Sequence, residues 1–209
     1  DIEVGKPGPK EVLIKNNSIG LNFIDIYHRT GLYPIPLPRG IGFEACGQIE
    51  DVGWEVSLFK VGDRVTHASM PIGAYSEKQV MPEEKLVSVP DGISDEVASC
   101  ITLKGITAEY LLHRAYPLKK GDKVLYHAAA GALGQILCPW ANALGAEVIG
   151  TVGSKAKEEI AKKNGCHHVM NYSEKDFVEE VERIVGKNSI DVVYAGVGIK
   201  TFKGSIETL

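Results

Sequence analysis

The sequence predicts an α/β protein in which a mostly β domain precedes a doubly wound parallel sheet. Two different residue patterns along the chain lead to this prediction. Up to about Pro90, short runs rich in strand-forming residues are separated by Gly and Pro. Farther along, apolar strand-like runs alternate with helix-like segments, which is typical of a parallel sheet with helices on its faces.

The first part of the chain, up to about Pro90, contains five predicted strands. Each is short and is bounded by Gly, Pro, Asn or Asp, which favour turns. In chain order the runs are "EVLIKNN", "ACGQIEDVG", "VGDRVTHA", "GAYSEKQVM" and "KLVSVPDG". Together they predict a compact β domain.

A predicted helix joins the two parts of the chain. The apolar residues of "LKGITAEYLLHRAY" are spaced as they would be on one face of a helix. These residues are Ile106, Tyr110, Leu111 and Leu112. We place the domain division in this helix, so that the first domain covers residues 1–107 and the second covers 108–209.

The second part of the chain is predicted to form the parallel sheet. Its strands are "KVLYH", "EVIGTV", "HHVMNY" and "DVVYAGVG", and its helices are "LGQILCPWANALG", "KAKEEIAKKNG" and "EKDFVEEVERIVG". Pro139 lies inside the first of these helices, where it costs about 3 kcal/mol and should bend the axis without abolishing the helix. The closing residues "SIETL" also look helical, and we expect the sheet to be incomplete at the C-terminal end of this chain.

Composition excludes several function classes. The chain has 209 residues, of which 44% are hydrophobic, enough to bury at least one core. Its net charge of −4 offers no basic excess to a polyanion, so nucleic acid is not an expected partner. The sequence contains neither a long apolar run typical of a membrane span nor a signal-peptide pattern at its start. We therefore predict a cytoplasmic protein that does not bind a membrane.

The four cysteines show neither the spacing of a metal site nor that of a disulfide framework. A free cysteine commonly behaves as a small apolar core residue. We therefore predict buried free thiols at Cys46, Cys100, Cys138 and Cys166.

A small-residue turn follows the predicted strand "KVLYH". Residues Ala129–Gly134, "AAGALG", match the dinucleotide-binding pattern G-x-G-x-x-G with its first Gly replaced by Ala. Gly131 would let the backbone approach a pyrophosphate, and Gly134 would let the next helix pack closely on the sheet. The N–H groups at the start of that helix would then face the phosphates.

The end of the next predicted strand favours NADP over NAD. An NAD site usually has Asp or Glu there to accept from the ribose 2′-hydroxyl. Here the segment Thr151–Lys157, "TVGSKAK", contains no acid but offers the hydroxyl of Ser154 and the cations Lys155 and Lys157 to a 2′-phosphate. The alternative is that Ser154 only caps the following helix and the lysines are solvated.

Several ordered motifs carry a resemblance that covers essentially the whole chain. They are "NFIDIYHRTGLYP", "GFEACGQIEDVG", "VGDRV", "GAYSEKQV", "LKGITAEYLL" and "HAAAGALGQILCPWANALGA". By these motifs the chain resembles the zinc-independent quinone oxidoreductases, relatives of ζ-crystallin in the medium-chain dehydrogenase/reductase superfamily. The resemblance implies a GroES-like domain followed by a Rossmann-like domain, each incomplete in this chain.

The resemblance also implies the site residues. Asn22, Tyr27 and Tyr33 match catalytic positions, where an amide and two phenols would donate hydrogen bonds to a quinone oxygen. Their alternative roles are a turn-stabilising Asn and packed aromatic rings, while Lys104 could be a solvated helix residue and Tyr172 an exposed residue at a strand end. The residues matched to NADPH binding are Lys104, Thr107, Ala130, Gly131, Leu133, Gly134, Gly153, Ser154, Lys157, Tyr172 and Gly196.

No metal is predicted. By the same resemblance, Asn22 and Phe43 stand where related alcohol dehydrogenases have zinc ligands, and neither side chain is one that zinc favours. The six histidines show no ligand spacing, and no lobe with four clustered cysteines is present.

Three functions are compatible with these motifs. The first is an NADPH-dependent reductase of a small-molecule quinone, homodimeric as the full-length protein. The second is an NADPH-dependent reductase of α,β-unsaturated carbonyls, which needs the same hydride geometry in a different pocket. The third is a non-catalytic, ζ-crystallin-like binding or structural protein.

Overall fold

The computed structural model describes residues 3–174 and 176–209. The chain divides into two compact units, Asp1–Leu103 and Lys104–Leu209. The division falls inside helix α2 (Asp95–Glu109), slightly earlier in the chain than the division that the sequence predicts.

The first unit contains a five-stranded antiparallel sheet. Its spatial order is β4-β1-β2-β3-β5. The strands are β1 (Glu11–Gly20), β2 (Glu44–Val52), β3 (Arg64–Ala68), β4 (Lys78–Pro82) and β5 (Val87–Ser88), with a short 3-10 helix at Glu83–Lys85 between the last two. Each predicted strand run overlaps one of these strands, so the prediction of a mostly β first domain is confirmed.

One face of this sheet forms the core of the first unit. Side chains two residues apart in a strand lie on the same face, which places Val12 and Ile14 of β1 together. They pack in one cluster with Ile49, Val65, Met81 and Leu86.

A short helix interrupts the first unit. Helix α1 (Phe23–Thr30) begins after Asn22, whose backbone N–H donates to Oδ2 of Asp25 at 2.9 Å. It ends at Gly31, which has a left-handed φ of 77°. A carboxylate three residues after the N-cap and a Gly after the last turn are common helix boundaries. The patterns in the sequence did not predict this helix.

The second unit contains a four-stranded parallel sheet with the order β8-β7-β6-β9. Its strands are β6 (Lys123–His127), β7 (Glu147–Val152), β8 (His168–Asn171) and β9 (Val192–Tyr194). The helices after these strands are, in order, α3 (Gly134–Ala143), α4 (Lys155–Lys163), α5 (Phe177–Val185) and α6 (Ile199–Glu207). The predicted alternation is confirmed, and the order of the strands reverses between β6 and β9.

Apolar side chains cover both faces of the parallel sheet. Val124 and Tyr126 pack on one face in a cluster that includes Leu137 of α3. Leu125, between them in the strand, packs on the other face with Val181 of α5. A sheet buried on both faces explains why its strands read as nearly continuous apolar runs.

The predicted face of the joining helix was partly wrong. Leu112 is fully buried, but Ile106 and Tyr110 are more than half exposed. After α2 the backbone forms a π-helical turn over Tyr110–Ala115. A π turn bonds each residue to the fifth before it, and this wider spacing breaks the regular helical period on which the prediction depended.

Two further predictions concern single residues. Helix α3 continues through Pro139, as predicted. Of the four free cysteines, three are buried, but Cys100 is exposed, so that part of the prediction was wrong. Cys100 lies two residues from both Ala98 and Thr102, which face Thr66 of β3, and two residues rotate a side chain to nearly the opposite side of a helix.

Across residues 3–174 and 176–209, no helix combines the length and apolarity that a membrane crossing requires.

Candidate functional site

The turn after β6 has the shape of a phosphate-binding turn. Ala128 adopts a left-handed φ of 62°, and the N–H of Gly131 donates to its carbonyl at 2.8 Å. The N–H of Ala129 donates to the Thr151 carbonyl of β7 at 3.0 Å, which ties the turn to the sheet. Gly131 is exposed at the tip, where a ligand can approach its backbone.

Gly134 lets helix α3 start directly against this turn. A Cβ at Gly134 would lie 2.3 Å from the carbonyl oxygen of Ala129 and 2.9 Å from its Cα. Both are backbone atoms that cannot move unless the turn moves. Ala130 and Leu133 are half-buried between the tip and the helix. The first N–H groups of the helix donate back into the turn, that of Gln135 to the Gly131 carbonyl at 3.0 Å and that of Leu137 to the Leu133 carbonyl at 2.8 Å.

A second group of predicted residues meets at the start of α4. Ser154 is the N-cap residue of α4, with extended backbone, and its side chain makes no capping hydrogen bond. The phenol of Tyr172 lies over Gly153, because a Cβ there would be 2.7 Å from Oη. Lys157 is exposed in the first turn of the same helix. The structure therefore brings Gly153, Ser154, Lys157 and Tyr172 together.

These residues follow the carboxyl ends of adjacent parallel strands. The glycine turn follows β6, Gly153 and Ser154 follow β7, and Tyr172 follows β8. Gly196 follows β9, where a Cβ would have no neighbour within 4 Å. Ligands of open parallel sheets bind at this edge, at the point where the strand order reverses. Here that point lies between β6 and β9.

The predicted catalytic residues of the first unit lie on and just after α1. Tyr27 and Tyr33 pack against each other with ring centroids 5.2 Å apart. The N–H of Tyr33 donates to the Tyr27 carbonyl at 3.1 Å, which fixes the loop to the helix. Within the described residues neither phenol oxygen has a hydrogen-bond partner, so both can donate to a ligand.

Asn22 has partners inside the protein. Its Nδ2 donates to Oε2 of Glu44 at 2.8 Å and makes a longer contact of 3.4 Å to the Gly20 carbonyl. Asp25, which accepts from its backbone, also accepts from the hydroxyl of Tyr75 at 2.9 Å. Burial and this hydrogen bond to Asp25 raise the pKa of Tyr75 to about 12, so the hydroxyl stays protonated as a donor.

Sequence reasoning missed Glu44, Asp25 and Tyr75 as parts of this site. Glu44 is fully buried, a rare state for a glutamate unless it is paired. The Asn22-x-x-Asp25 spacing was a local signal for a capped helix. Nothing local in "GFEACG" distinguishes Glu44 from an exposed strand residue.

Lys104 and Thr107 lie three residues apart on α2, both half-buried. Residues at this spacing lie on the same side of a helix. Their predicted contact with the cofactor stays a prediction.

Comparison with known proteins identifies the family. One family model, described as the alcohol dehydrogenase GroES-like domain, matches residues 8–91, and another, described as zinc-binding dehydrogenase, matches residues 132–209. The quinone oxidoreductase of Pseudomonas aeruginosa is 48% identical over 208 residues, which are 99% of this chain and 64% of that relative. The chain belongs to the medium-chain dehydrogenase/reductase superfamily.

Two more proteins similar to this medium-chain dehydrogenase/reductase carry names that describe reductases. The crystal structure of an Escherichia coli quinone oxidoreductase complexed with NADPH has a TM-score of 0.97 and 44% identity, covering 100% of this chain and 64% of that one. A 2-haloacrylate reductase of a Burkholderia species is 48% identical over 216 residues, 100% of this chain and 65% of that relative. The chain thus spans slightly less than two thirds of the length of these relatives.

The resemblance inferred from the motifs is confirmed by these comparisons, as are the GroES-like and Rossmann-like parts of the fold. In this medium-chain dehydrogenase/reductase, no three His, Cys, Asp or Glu side chains cluster closely enough to share a metal ion within residues 3–174 and 176–209. Independence from zinc stays a prediction, based on Asn22 and Phe43.

Proposed function

We propose that the protein is an NADPH-dependent oxidoreductase that reduces a quinone without a metal ion. The observation that carries this proposal is the convergence of two anion-binding elements, the Ala129–Gly134 turn and the start of α4, on one edge of the parallel sheet. The similarity to a quinone oxidoreductase complexed with NADPH supports it.

The glycine turn fits a pyrophosphate. The exposed backbone at Gly131 leaves room for phosphate oxygens, and Gly134 allows α3 to begin close behind the turn. The positive end of the dipole of α3 favours an anion at this place.

The start of α4 fits a 2′-phosphate. The hydroxyl of Ser154, which is not used for capping, can donate to phosphate, and Lys157 supplies a positive charge one turn into the helix. The Tyr172 phenol beside Gly153 adds a third donor. The segment Thr151–Lys157 has no carboxylate to repel the phosphate or to bind an unphosphorylated ribose.

We expect NADPH to bind more tightly than NADH, and the change Lys157→Ala to remove most of the difference. Loss of a charge-assisted hydrogen bond should weaken NADPH binding by about 1.5–3 kcal/mol and leave NADH binding unchanged. Fluorescence titration of both nucleotides measures the two dissociation constants. Lys163→Ala, at the other end of α4, is the matched control. Equal affinity of the wild-type protein for both nucleotides would contradict the proposal.

The first unit supplies polar groups for the acceptor. When bound, the dihydronicotinamide supplies a hydride, and the acceptor oxygen gains negative charge as it arrives. The phenols of Tyr27 and Tyr33, which have no hydrogen-bond partner among the described residues, can donate hydrogen bonds to that oxygen. The amide nitrogen of Asn22 already donates within the protein, to Glu44 and to the Gly20 carbonyl.

A side-by-side assay tests the reaction. We expect the protein to oxidise NADPH with a benzoquinone at a higher kcat/KM than with an enal, and prolonged chelation with EDTA to change neither the rate nor the melting temperature. Stoichiometric zinc in elemental analysis would overturn the metal-free part of the proposal. Absence of NADPH oxidation with every acceptor would favour a non-catalytic binding role.

The second candidate is reduction of α,β-unsaturated carbonyls. The 48% identity to a 2-haloacrylate reductase favours it, because that relative's name describes an activated C=C bond as the acceptor. Faster turnover of the enal or of a 2-haloacrylate in the same assay would select this candidate.

We also propose that the protein is cytoplasmic, that it acts on a small molecule without binding nucleic acid or membranes, and that its full-length form is a homodimer. The net charge of −4 supports the absence of nucleic-acid binding. Light scattering of the full-length protein would decide the oligomeric state.

A further inference from the structure

Two buried thiols of the second unit lie in one cluster with the glycine turn. Cys138 is in α3, about one helical turn after Gly134, and Cys166 lies just before β8. Cys138 has no exposed surface and Cys166 is 7% exposed. Both belong to the apolar core cluster that also contains Ala129. The proposed hydride transfer uses neither thiol.

The backbones that carry the two thiols are close together. A Cβ at Gly165 would lie 3.5 Å from the Cα of Pro139, and these residues are the sequence neighbours of Cys166 and Cys138, respectively. The hydrogen bond between the thiols is the main influence on the pKa of each, since it raises the pKa of Cys138 and lowers that of Cys166. The S–H of Cys138 therefore donates to the Cys166 sulfur and stabilises a thiolate there.

The Cys166 sulfur lies beside the glycine turn. A Cβ at Gly150 of β7 would be 2.8 Å from Sγ of Cys166 and 2.7 Å from Cβ of Ala129, so both atoms cover the same point of the sheet. Ala129 also packs closely on the start of α3, because a Cβ at Gly134 would lie 2.3 Å from its carbonyl oxygen. A displacement of Cys166 or of α3 therefore reaches the turn, since a closely packed core transmits strain.

We propose that Cys138 and Cys166 form a reversible disulfide when hydrogen peroxide oxidises the protein, and that this bond weakens nucleotide binding at the glycine turn. The second part rests on the proposed function, in which that turn holds the pyrophosphate of NADPH. Disulfides in reducing compartments are mostly transient and redox-sensing, which agrees with two thiols that are free in this structure.

The reaction needs hydrogen peroxide as its oxidant and nothing else. The Cys166 thiolate, the more exposed and more acidic of the two, attacks one peroxide oxygen. An S–O bond forms, the O–O bond breaks, and the leaving hydroxide takes up the thiol proton as water, which leaves a sulfenic acid. Cys138 then attacks the sulfenic sulfur, so that the S–S bond forms and a second water leaves. The two thiols lose two electrons, and one peroxide is reduced to two waters.

The disulfide requires a movement that reaches the glycine turn. Bonded sulfurs are about 2.05 Å apart, which is closer than two hydrogen-bonded thiols. Cys166 and α3 must therefore approach each other. Because Gly134 holds α3 against Ala129, this approach changes the shape of the turn whose backbone would face the phosphates. We expect NADPH to bind about tenfold more weakly, the factor expected from the loss of about one hydrogen bond.

Peroxide treatment followed by peptide mapping tests the pair. The measurements use the Cys100→Ser protein, which lacks the exposed thiol. After oxidation and alkylation of the remaining thiols, we expect a mass loss of two hydrogen atoms and a cross-link between the peptides that contain Cys138 and Cys166. Dithiothreitol should reverse both changes. Fluorescence titration with NADPH before and after oxidation measures the change in affinity.

Two variants separate this pair from other effects of peroxide. Cys166→Ala should prevent the cross-link and keep the NADPH affinity constant during peroxide treatment. Cys46→Ala is the matched control and should respond to peroxide as the parent protein does. Cys46 is also a buried free thiol, but burial and a hydrogen bond to Asp95 raise its pKa to about 12, so it carries little thiolate.

The cross-link and the NADPH affinity decide separate parts of the inference. Oxidation without a bond between Cys138 and Cys166 would overturn it. An unchanged NADPH affinity after the bond forms, or an equal loss of affinity in Cys166→Ala, would overturn the effect on the turn. If the reduced protein binds no NADPH, the proposed function fails, while the peptide map still decides whether the two thiols form a disulfide.

Discussion

Replacing Gly134 with alanine should abolish NADPH binding and destabilise the protein by about 3 kcal/mol or more. The added Cβ would lie 2.3 Å from the carbonyl oxygen of Ala129 and 2.7 Å from its carbonyl carbon. No side-chain rotation relieves this overlap, because every clashing atom belongs to the backbone. Either α3 moves away from the sheet or the turn changes shape, and both outcomes misplace the N–H groups that would face a phosphate.

Thermal unfolding and NADPH titration measure the two effects of Gly134→Ala. At Gly131 the nearest atom to an added Cβ is 3.0 Å away, so Gly131→Ala should cause a smaller loss of both quantities. Gly5→Ala is the control, since a Cβ there meets nothing within 4 Å. A Gly134→Ala protein with wild-type melting temperature and NADPH affinity would show that the close contact between turn and helix is not required.

Local patterns predicted the parallel sheet and the glycine turn at its edge because each element there is specified by neighbouring residues. The runs "KVLYH" and "EVIGTV" coincide with β6 and β7, residue for residue. The turn that follows β6 is encoded by small residues at fixed spacing, and so is the place of Gly134. The turn also has a left-handed residue, Ala128, directly after the strand, which the sequence pattern does not indicate.

The environment of Asn22 could not be predicted in the same way. Glu44 is far from Asn22 in sequence and becomes its partner only when β1, β2 and α2 pack together. Burial turns an ordinary strand glutamate into the hydrogen-bond partner of the Asn22 amide, and burial is a tertiary property. The prediction of the buried face of the joining helix was partly wrong for a related reason. The π turn at Tyr110–Ala115 departs from the regular helical period.

Two buried histidines should make the protein strongly sensitive to acid. Both are about 1% exposed, and burial lowers the pKa of each from the ordinary histidine value of 6.5 to about 4. His67 has no hydrogen-bond partner at either ring nitrogen within the described residues. His127 lies between Thr151 and Ser205, with 2.9 Å contacts at Nδ1 and Nε2 respectively.

The contacts of His127 specify its neutral form. The Ser205 hydroxyl donates to the Thr201 carbonyl at 2.7 Å, so it accepts from Nε2 of His127. Nδ1 is then the acceptor for the Thr151 hydroxyl. Protonation at Nδ1 would place an N–H donor against the Thr151 hydroxyl, which is itself the donor in the neutral form. It would also place a positive charge in the core at the end of β6.

The sign of the pH effect follows from the lowered pKa values. Between pH 6.5 and 4 the unfolded chain binds protons at these histidines and the folded chain does not, so stability is fully present above about pH 6.5 and falls as the pH decreases toward 4. Each histidine should contribute up to about 3 kcal/mol, with a slope approaching 1.4 kcal/mol per pH unit. Urea unfolding at pH 7.5, 6 and 5 measures that slope. Carboxylates in ion pairs add to this effect at lower pH. The hydrogen bond from the Arg64 guanidinium is the main cause that lowers the pKa of Asp95, so protonation of Asp95 also costs stability as the pH falls.

The change His67→Leu isolates one histidine from these other groups. Leucine keeps the site apolar and removes two unpartnered nitrogens, so we expect the free energy of unfolding at pH 7.5 to be maintained or increased. Between pH 6.5 and 5 the variant should lose less stability than the wild type, with a slope smaller by up to about 1.4 kcal/mol per pH unit. Equal slopes for the two proteins would mean that His67 titrates alike in the folded and unfolded chains, and burial would then not be what keeps it neutral.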